Sequence, residues 1–154
     1  MNKLYVMVGV PAAGKSTWIA NQKWKDDCVV VSTDEFVEEY AKECGLTYSE
    51  VFDEYMPRAV ELMVDKVLWA RDTGKDIIWD QTSTTIATRA KKLRMLPDYY
   101  AIAVVFRPDT DTVMRRVISR GSSGKVIPNH VVHKMIDQWE EPTEEEGFKE
   151  IWYV

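Results

Sequence analysis

Lys3 to Val10 is apolar at nearly every position instead of alternating, the pattern of a strand covered by helices on both faces, which places it at the centre of a sheet. Cys28 to Val31, Asp76 to Trp79 and Tyr99 to Phe106 read as further strands, and Glu150 to Tyr153 as a last short one. Helical spacing fills the gaps. Ser16 to Asn21 opens a first helix, with Trp18 and Ile19 able to pack back onto the sheet. Ser32 and Glu35 have capping-box spacing for a second helix that runs to about Glu43 and is stopped by Gly45. From Ser49 to Arg71, the residues Phe52, Tyr55, Ala59, Leu62, Val67 and Ala70 recur at near-helical steps, predicting a long, imperfectly amphipathic helix bent near Pro57. Thr73-Gly74-Lys75 then turns the chain into the strand at Asp76. Thr85 to Leu96 and Asp109 to Ser119 are further helices, Gly121-Ser122-Ser123-Gly124 is a flexible break, and Pro128 suits the first turn of a helix running to about Trp139. Pro142 to Gly147 reads as loop. Strands and helices in alternation imply an α/β fold with a mainly parallel sheet, and residues 1–154 suit one domain with no internal repeat.

Charge narrows the choice of partners. A net charge of −5 argues against bulk adhesion to nucleic acid, which rests on clustered lysine and arginine. Local basic sites remain, in Arg89-Ala90-Lys91-Lys92-Leu93-Arg94 and in Arg115, Arg116, Arg120 and Lys125. The acidic segments Asp34 to Glu54 and Glu140 to Glu146 read as solvated faces. No apolar run is long enough to cross a bilayer, and Met1-Asn2-Lys3 leads straight into a strand, so the expectation is a cytoplasmic protein. Cys28 and Cys44 lack metal spacing and are expected as free thiols.

The stretch Gly9-Val10-Pro11-Ala12-Ala13-Gly14-Lys15-Ser16-Thr17 has the form G-x-x-x-x-G-K-[ST] between a strand and a helix, the pattern of a phosphate-binding loop. Its backbone N–H groups and the start of the helix would surround the β-phosphate of ATP or another NTP, Lys15 would reach the β and γ oxygens, and Ser16 would ligate Mg²⁺. Ligands of an open parallel sheet collect beyond the carboxyl ends of its strands, where Asp34 follows the second strand and Asp80 the third. Asp34 suits the base that accepts a hydroxyl proton during phosphoryl transfer, although a helix-capping role competes. Asp80 is placed either to orient Mg²⁺, to hold the acceptor, or to cap the next helix. Arg116 and Arg120 share one helix face ahead of the glycine-rich break, as expected of a closing lid that neutralises γ-phosphate charge. His130 and His133 also share a face but have no partner to complete a metal site.

Gly9 to Trp18, then Ser32-Thr-Asp-Glu-Phe36, then Asp80-Gln-Thr-Ser83, then Arg116-x-x-x-Arg120-Gly121 with Val126-Ile-Pro128, resemble the kinase domain of phage 5′-hydroxyl polynucleotide kinases in order along nearly the whole chain. The resemblance implies a three-layer P-loop kinase fold with an arginine-bearing lid. It also implies that Asp34 is the general base, that Lys15 and Ser16 hold phosphates and Mg²⁺, that Arg116 and Arg120 form the lid, and that Asp80 and Thr82 lie near the acceptor strand. Two departures stand out. The family's arginine three residues after the base, which contacts the acceptor's 3′-phosphate, is replaced by Val37, and no phosphatase domain follows. Thr82, Ser83, Arg89 or the Lys91-Lys92 pair are then the expected substitutes for acceptor binding. The leading expectation is an ATP-dependent kinase of a nucleic-acid hydroxyl, first the 5′-OH of DNA or RNA. The alternatives are a kinase of a hydroxymethylated base in DNA and a kinase of a nucleoside or sugar.

Overall fold

The computed structural model describes residues 1–121 and 124–154; Ser122 and Ser123, the middle of the expected flexible break, lie outside the described residues. Five strands, β1 (Lys3–Val8), β2 (Cys28–Val31), β3 (Asp76–Trp79), β4 (Tyr100–Val105) and β5 (Glu150–Tyr153), form one sheet in the order β2-β3-β1-β4-β5. Every pairing is parallel, with Leu4 opposite Ile77 and Ala101, and Ile102 opposite Glu150.

The unbroken apolar character of β1 follows from its position. Leu4, Val6 and Val8 point to one face, where Met63, Val67, Ala70, Leu96 and Phe148 cover them. Tyr5 and Met7 point to the other, against Ile19, Ile78, Ile102 and Phe106. Both faces are therefore dry, and a polar residue at any of these positions would lose roughly the 1.5–3 kcal/mol that burying a large apolar side chain contributes. Helix α1 (Lys15–Ala20) covers the second face, while α3 (Tyr48–Asp72) and α4 (Ile86–Met95) cover the first. Helix α2 (Asp34–Cys44) packs on α3 through Val37, Ala41, Val51 and Ala59. Helices α5 (Thr110–Gly121) and α6 (Asn129–Asp137) pack Val113, Val117 and Val132 beneath Val10 and Ala12.

Two local expectations need correction. Ser32 does accept the Glu35 N–H at 3.3 Å, but the Glu35 carboxylate turns away to grip Lys66 at 2.9 and 3.0 Å, so only half a capping box forms. The complete box belongs to Thr47 and Glu50 at the start of α3, where each residue's side chain receives the other's backbone N–H. Helix α3 is continuous through Pro57. Finally, Glu140 to Glu146 is a solvated face only in part, with Glu140, Glu141, Glu144 and Glu145 exposed. Glu144–Glu146 forms a 3₁₀ turn, the Glu140 carboxylate accepts the Ile86 N–H at 3.1 Å, and Glu146 is buried against Arg89.

Candidate active site

The phosphate loop leaves β1 at Gly9, whose N–H donates to the Thr82 carbonyl at 2.9 Å and so fastens the loop to the segment that follows β3. A Cβ at Gly9 would come within 3.1 Å of the Phe106 Cβ, and Gly14 turns with φ 102° into α1. Ala12, with φ 64°, also holds a left-handed conformation, which costs a non-glycine residue energy and is characteristic of functional loops. The Lys15 ammonium lies across this loop, donating to the carbonyls of Gly9 and Val10 at 2.9 Å each. Burial lowers its pKa to about 8, against an opposing pull from Asp80 and with further lowering by Arg120.

Ser16 Oγ donates to Asp80 Oδ2 at 3.4 Å. Burial raises the Asp80 pKa, as does the nearby Asp34 charge, while Lys15 and the Ser16 hydroxyl oppose it. Two hard oxygen donors converging beside a phosphate loop suit Mg²⁺, which characteristically takes one or two carboxylates and completes its shell with phosphate oxygens and water. No cluster of three or more acidic, histidine or cysteine residues that would hold a metal by themselves occurs among the described residues.

Asp34 stands at the first turn of α2 with both carboxylate oxygens engaged. Oδ1 accepts the Tyr48 hydroxyl at 2.6 Å and Oδ2 accepts the Lys125 ammonium at 3.1 Å. Burial and the Asp34 hydrogen bond push the Tyr48 phenol well above its usual range, so it stays a donor. Lys125 also reaches Glu38 at 3.2 Å and lies 4.5 Å from the centre of the Tyr48 ring. Its segment is docked on the start of α3. Ser49 exchanges hydrogen bonds with both the N–H and the carbonyl of Val126, and Gly124, with φ 91°, sits where a Cβ would come within 2.9 Å of Thr47.

Most of the residues expected at the site meet in one cavity of about 780 Å³, lined by Pro11, Ala12, Lys15, Ser16, Asp34, Asp80, Thr82 and Arg120 among others. Arg116 sits beside the loop, donating to the Ala12 carbonyl at 3.1 Å, and its guanidinium is 3.4 Å from where a Cβ on Gly14 would stand. Ala13 packs against the core beneath, and Thr17 is exposed on α1.

Arg89 and Ser83 do not join them. Arg89 is wholly buried, with Nε and Nη2 on the Glu146 carboxylate at 2.8 and 3.2 Å and Nη1 on the Ser83 carbonyl at 3.0 Å. The Glu146 carboxylate and the Ser83 carbonyl hold it there, away from the cavity lining where acceptor binding was expected of it. Lys92 is buried too, over Trp79 at 5.4 Å, and burial lowers its pKa to about 8. Ser83 is buried outside the cavity lining, with φ 47° and a hydroxyl that finds no hydrogen-bond partner among the described residues. Val37, at the position where the resembling family has arginine, is fully buried between α2 and α3.

The architecture matches solved structures along nearly its whole length. A candidate kinase from Chloroflexus aurantiacus superposes with a TM-score of 0.75 at 15% identity, covering 99% of this chain and 87% of that one. A chain of the Pnkp1/Rnl/Hen1 RNA repair complex gives a TM-score of 0.67 at 23% identity; 89% of this chain is covered, but it spans only 43% of that one. A gluconokinase from Sinorhizobium meliloti gives 0.59 at 14% identity, over 99% of this chain and 81% of that one. At the level of sequence, residues 4–142 match the AAA domain family. With its nucleotide-binding phosphate loop, its all-parallel five-stranded sheet and helices on both faces, the chain belongs to the AAA domain family and has a P-loop kinase-like fold.

Proposed function

We propose that this protein transfers the terminal phosphoryl group of ATP, or another NTP, to an alcohol, and that residues 1–154 act as one catalytic unit. The observation that carries the reading is the convergence of Asp34 with Lys15, Ser16, Asp80 and Arg120 on a single cavity. In the proposed reaction the acceptor oxygen forms a bond to the γ-phosphorus as the bond to the β–γ bridging oxygen breaks. The hydroxyl proton passes to the Asp34 carboxylate, and the NDP leaves. Tyr48 holds that carboxylate in orientation through its 2.6 Å hydrogen bond. Lys15, Arg116 and Arg120 supply positive charge where it builds up on the phosphoryl oxygens. Ser16 and Asp80 would hold Mg²⁺, which supplies charge neutralisation on the β and γ oxygens.

The acceptor we favour is a hydroxyl of a nucleic acid, in keeping with the motif order and with the likeness to a chain of an RNA repair complex. With Arg89 and Lys92 buried, that hydroxyl is read as belonging to a single nucleoside unit at a strand end or on a hydroxymethylated base, not to a strand gripped along its phosphates. The same observation supports a small-molecule acceptor as the second reading.

Asp34→Asn tests the proposal. The amide keeps the shape and the Tyr48 hydrogen bond while losing the basic oxygen, so transfer of labelled γ-phosphate should fall by about 10²–10⁴-fold with ATP affinity and Tm preserved. Retention of substantial transfer would remove Asp34 from the chemistry.

A further inference from the structure

We infer that the acceptor end of the cavity takes an uncharged alcohol of nucleoside size, gripped by the face of its flat ring and not by phosphate contacts. The inference rests on the phosphoryl-transfer reading and specifies its substrate class. Three observations carry it.

The first is charge. The cations lining the cavity are Lys15, Arg120 and Lys125. Lys15 and Arg120 belong together at the phosphate loop, each within the other's electrostatic reach. Lys125 is held by Asp34 and Glu38 at 3.1 and 3.2 Å. The other carboxylates of the lining are Asp80, on Ser16 beside the phosphate loop, and Glu38 and Asp53, which repel a phosphate or a sugar acid.

The second is the apolar lining. Phe52 is 37% exposed and Val126 is 58% exposed, although both line the cavity. Large apolar side chains left open inside a concave site are the mark of a ligand surface. Lys125 covers the Tyr48 ring, and Tyr48 leans on Phe52 with centroids 5.5 Å apart, which braces Phe52 as the available aromatic face. Met56 and Met135 add polarizable thioethers that adapt to a ring.

The third is the combination of size and polarity. A volume of about 780 Å³ falls within the range of roughly 300–1,000 Å³ typical of small-molecule pockets. Asp53, exposed on α3, offers acceptor oxygens, and Gln81, whose Oε1 accepts the Trp79 indole N–H at 3.0 Å, presents its amide N–H groups as donors to a nucleobase edge. A terminal nucleoside or a base turned out of a strand satisfies the same walls, its phosphates staying outside.

The test uses the purified full chain with ATP and Mg²⁺. Acceptors are free nucleosides including 5-hydroxymethyl-2′-deoxyuridine, the same nucleosides as 3′-monophosphates, and gluconate. Nucleoside binding is measured in parallel by calorimetry with a non-hydrolysable ATP analogue present. The expected result is that a free nucleoside is phosphorylated with kcat/KM at least equal to that of its 3′-monophosphate and with KM insensitive to salt. Phe52→Ala should raise the nucleoside KM at least about fivefold while ATP Kd is unchanged, with Phe52→Tyr restoring it. Asp53→Lys should shift preference towards the 3′-monophosphate. A tenfold or greater advantage of the 3′-monophosphate in the unaltered protein, phosphorylation of gluconate with nucleosides inert, or no nucleoside binding at millimolar concentration would overturn the inference. Nucleoside binding that depends on Phe52 without transfer to any acceptor would uphold the subsite and sink the phosphoryl-transfer reading instead.

Discussion

Helices α4 and α5 both carry arginines and set them in opposite surroundings, one inside the fold and the others at the cavity. On α4, Arg89 is wholly buried, and two of its hydrogen bonds tie the helix to the Glu146 turn 57 residues away while the third goes to the Ser83 carbonyl. On α5, Arg116 and Arg120 stand at the phosphate loop, Arg116 on the Ala12 carbonyl and Arg120 in the cavity wall. The difference lies in what faces each helix. The acidic turn at Glu144–Glu146 gives Arg89 a carboxylate inside the fold, whereas on α5 Arg116 meets the Ala12 backbone carbonyl and Arg120 lines the cavity. Whether a basic residue becomes a structural clasp or stays at a cavity wall is therefore set by its partner, and sequence spacing does not distinguish the two.

Removing Arg89 should give the largest effect. Arg89→Ala leaves the Glu146 carboxylate buried without its cation, a change that costs about 3–5 kcal/mol and lowers Tm by roughly 6–20 °C. Replacing both partners, as Arg89→Met with Glu146→Leu, should recover most of that loss, because two apolar side chains leave no buried charge behind. Scanning calorimetry on the three variants decides the matter, and an Arg89→Ala variant with normal Tm but a raised acceptor KM would return Arg89 to the binding role it lacks here.

For the α5 arginines the signature inverts. Arg116→Ala and Arg120→Ala should each lower kcat by about 10²–10³-fold with Tm nearly unchanged, and should lower kcat more than they weaken ATP binding, since the charge they meet develops during transfer. Separate measurements of kcat and ATP Kd test this. Equal losses in both would make them ground-state contacts.

Lys15 gives a smaller, graded effect. Burial holds its pKa near 8 in the free protein, and a bound triphosphate raises it, so nucleotide binding takes up a proton above that pH. Affinity should be full below pH 8 and weaken by up to about tenfold per pH unit as pH rises through it, while Lys15→Arg should give a flat profile. ATP Kd measured across that range is the check; a flat profile for the unaltered protein would mean that the ammonium contributes little to binding. The smallest effect belongs to Lys91, exposed on α4 beside two buried cations. Lys91→Ala should alter Tm by no more than about 0.5 kcal/mol in stability terms and leave the acceptor KM unchanged.

The parts of the fold legible in sequence are those fixed by neighbours close along the chain. The apolar run of β1, the loop from Gly9 to Thr17 and the carboxylates just beyond β2 and β3 are all local signals, and each sits where its pattern implies. Tyr48 was within reach, since Thr47 and Glu50 carry the capping-box spacing that begins α3 and so put Tyr48 at a helix start near the sheet's carboxyl edge. Lys125 was not, because its bond to Asp34 joins residues 91 positions apart and no local pattern foretells it. Arg89 failed for the same reason: the acidic segment that claims it looks, by composition, like any solvated charge run.

The strand order sets a schedule for synthesis. β1 leaves the ribosome first yet is the middle strand, and its partners begin only at Asp76 and Tyr100. Until β3 and then β4 emerge, the apolar stretch Leu4–Val8 has no sheet to enter, and Gly9 lacks the Thr82 carbonyl that fastens the phosphate loop. Non-local parallel pairing of this kind closes long loops before it is rewarded, so a nascent chain that has not yet reached β3 carries the apolar stretch Leu4–Val8 unprotected and invites chaperone binding.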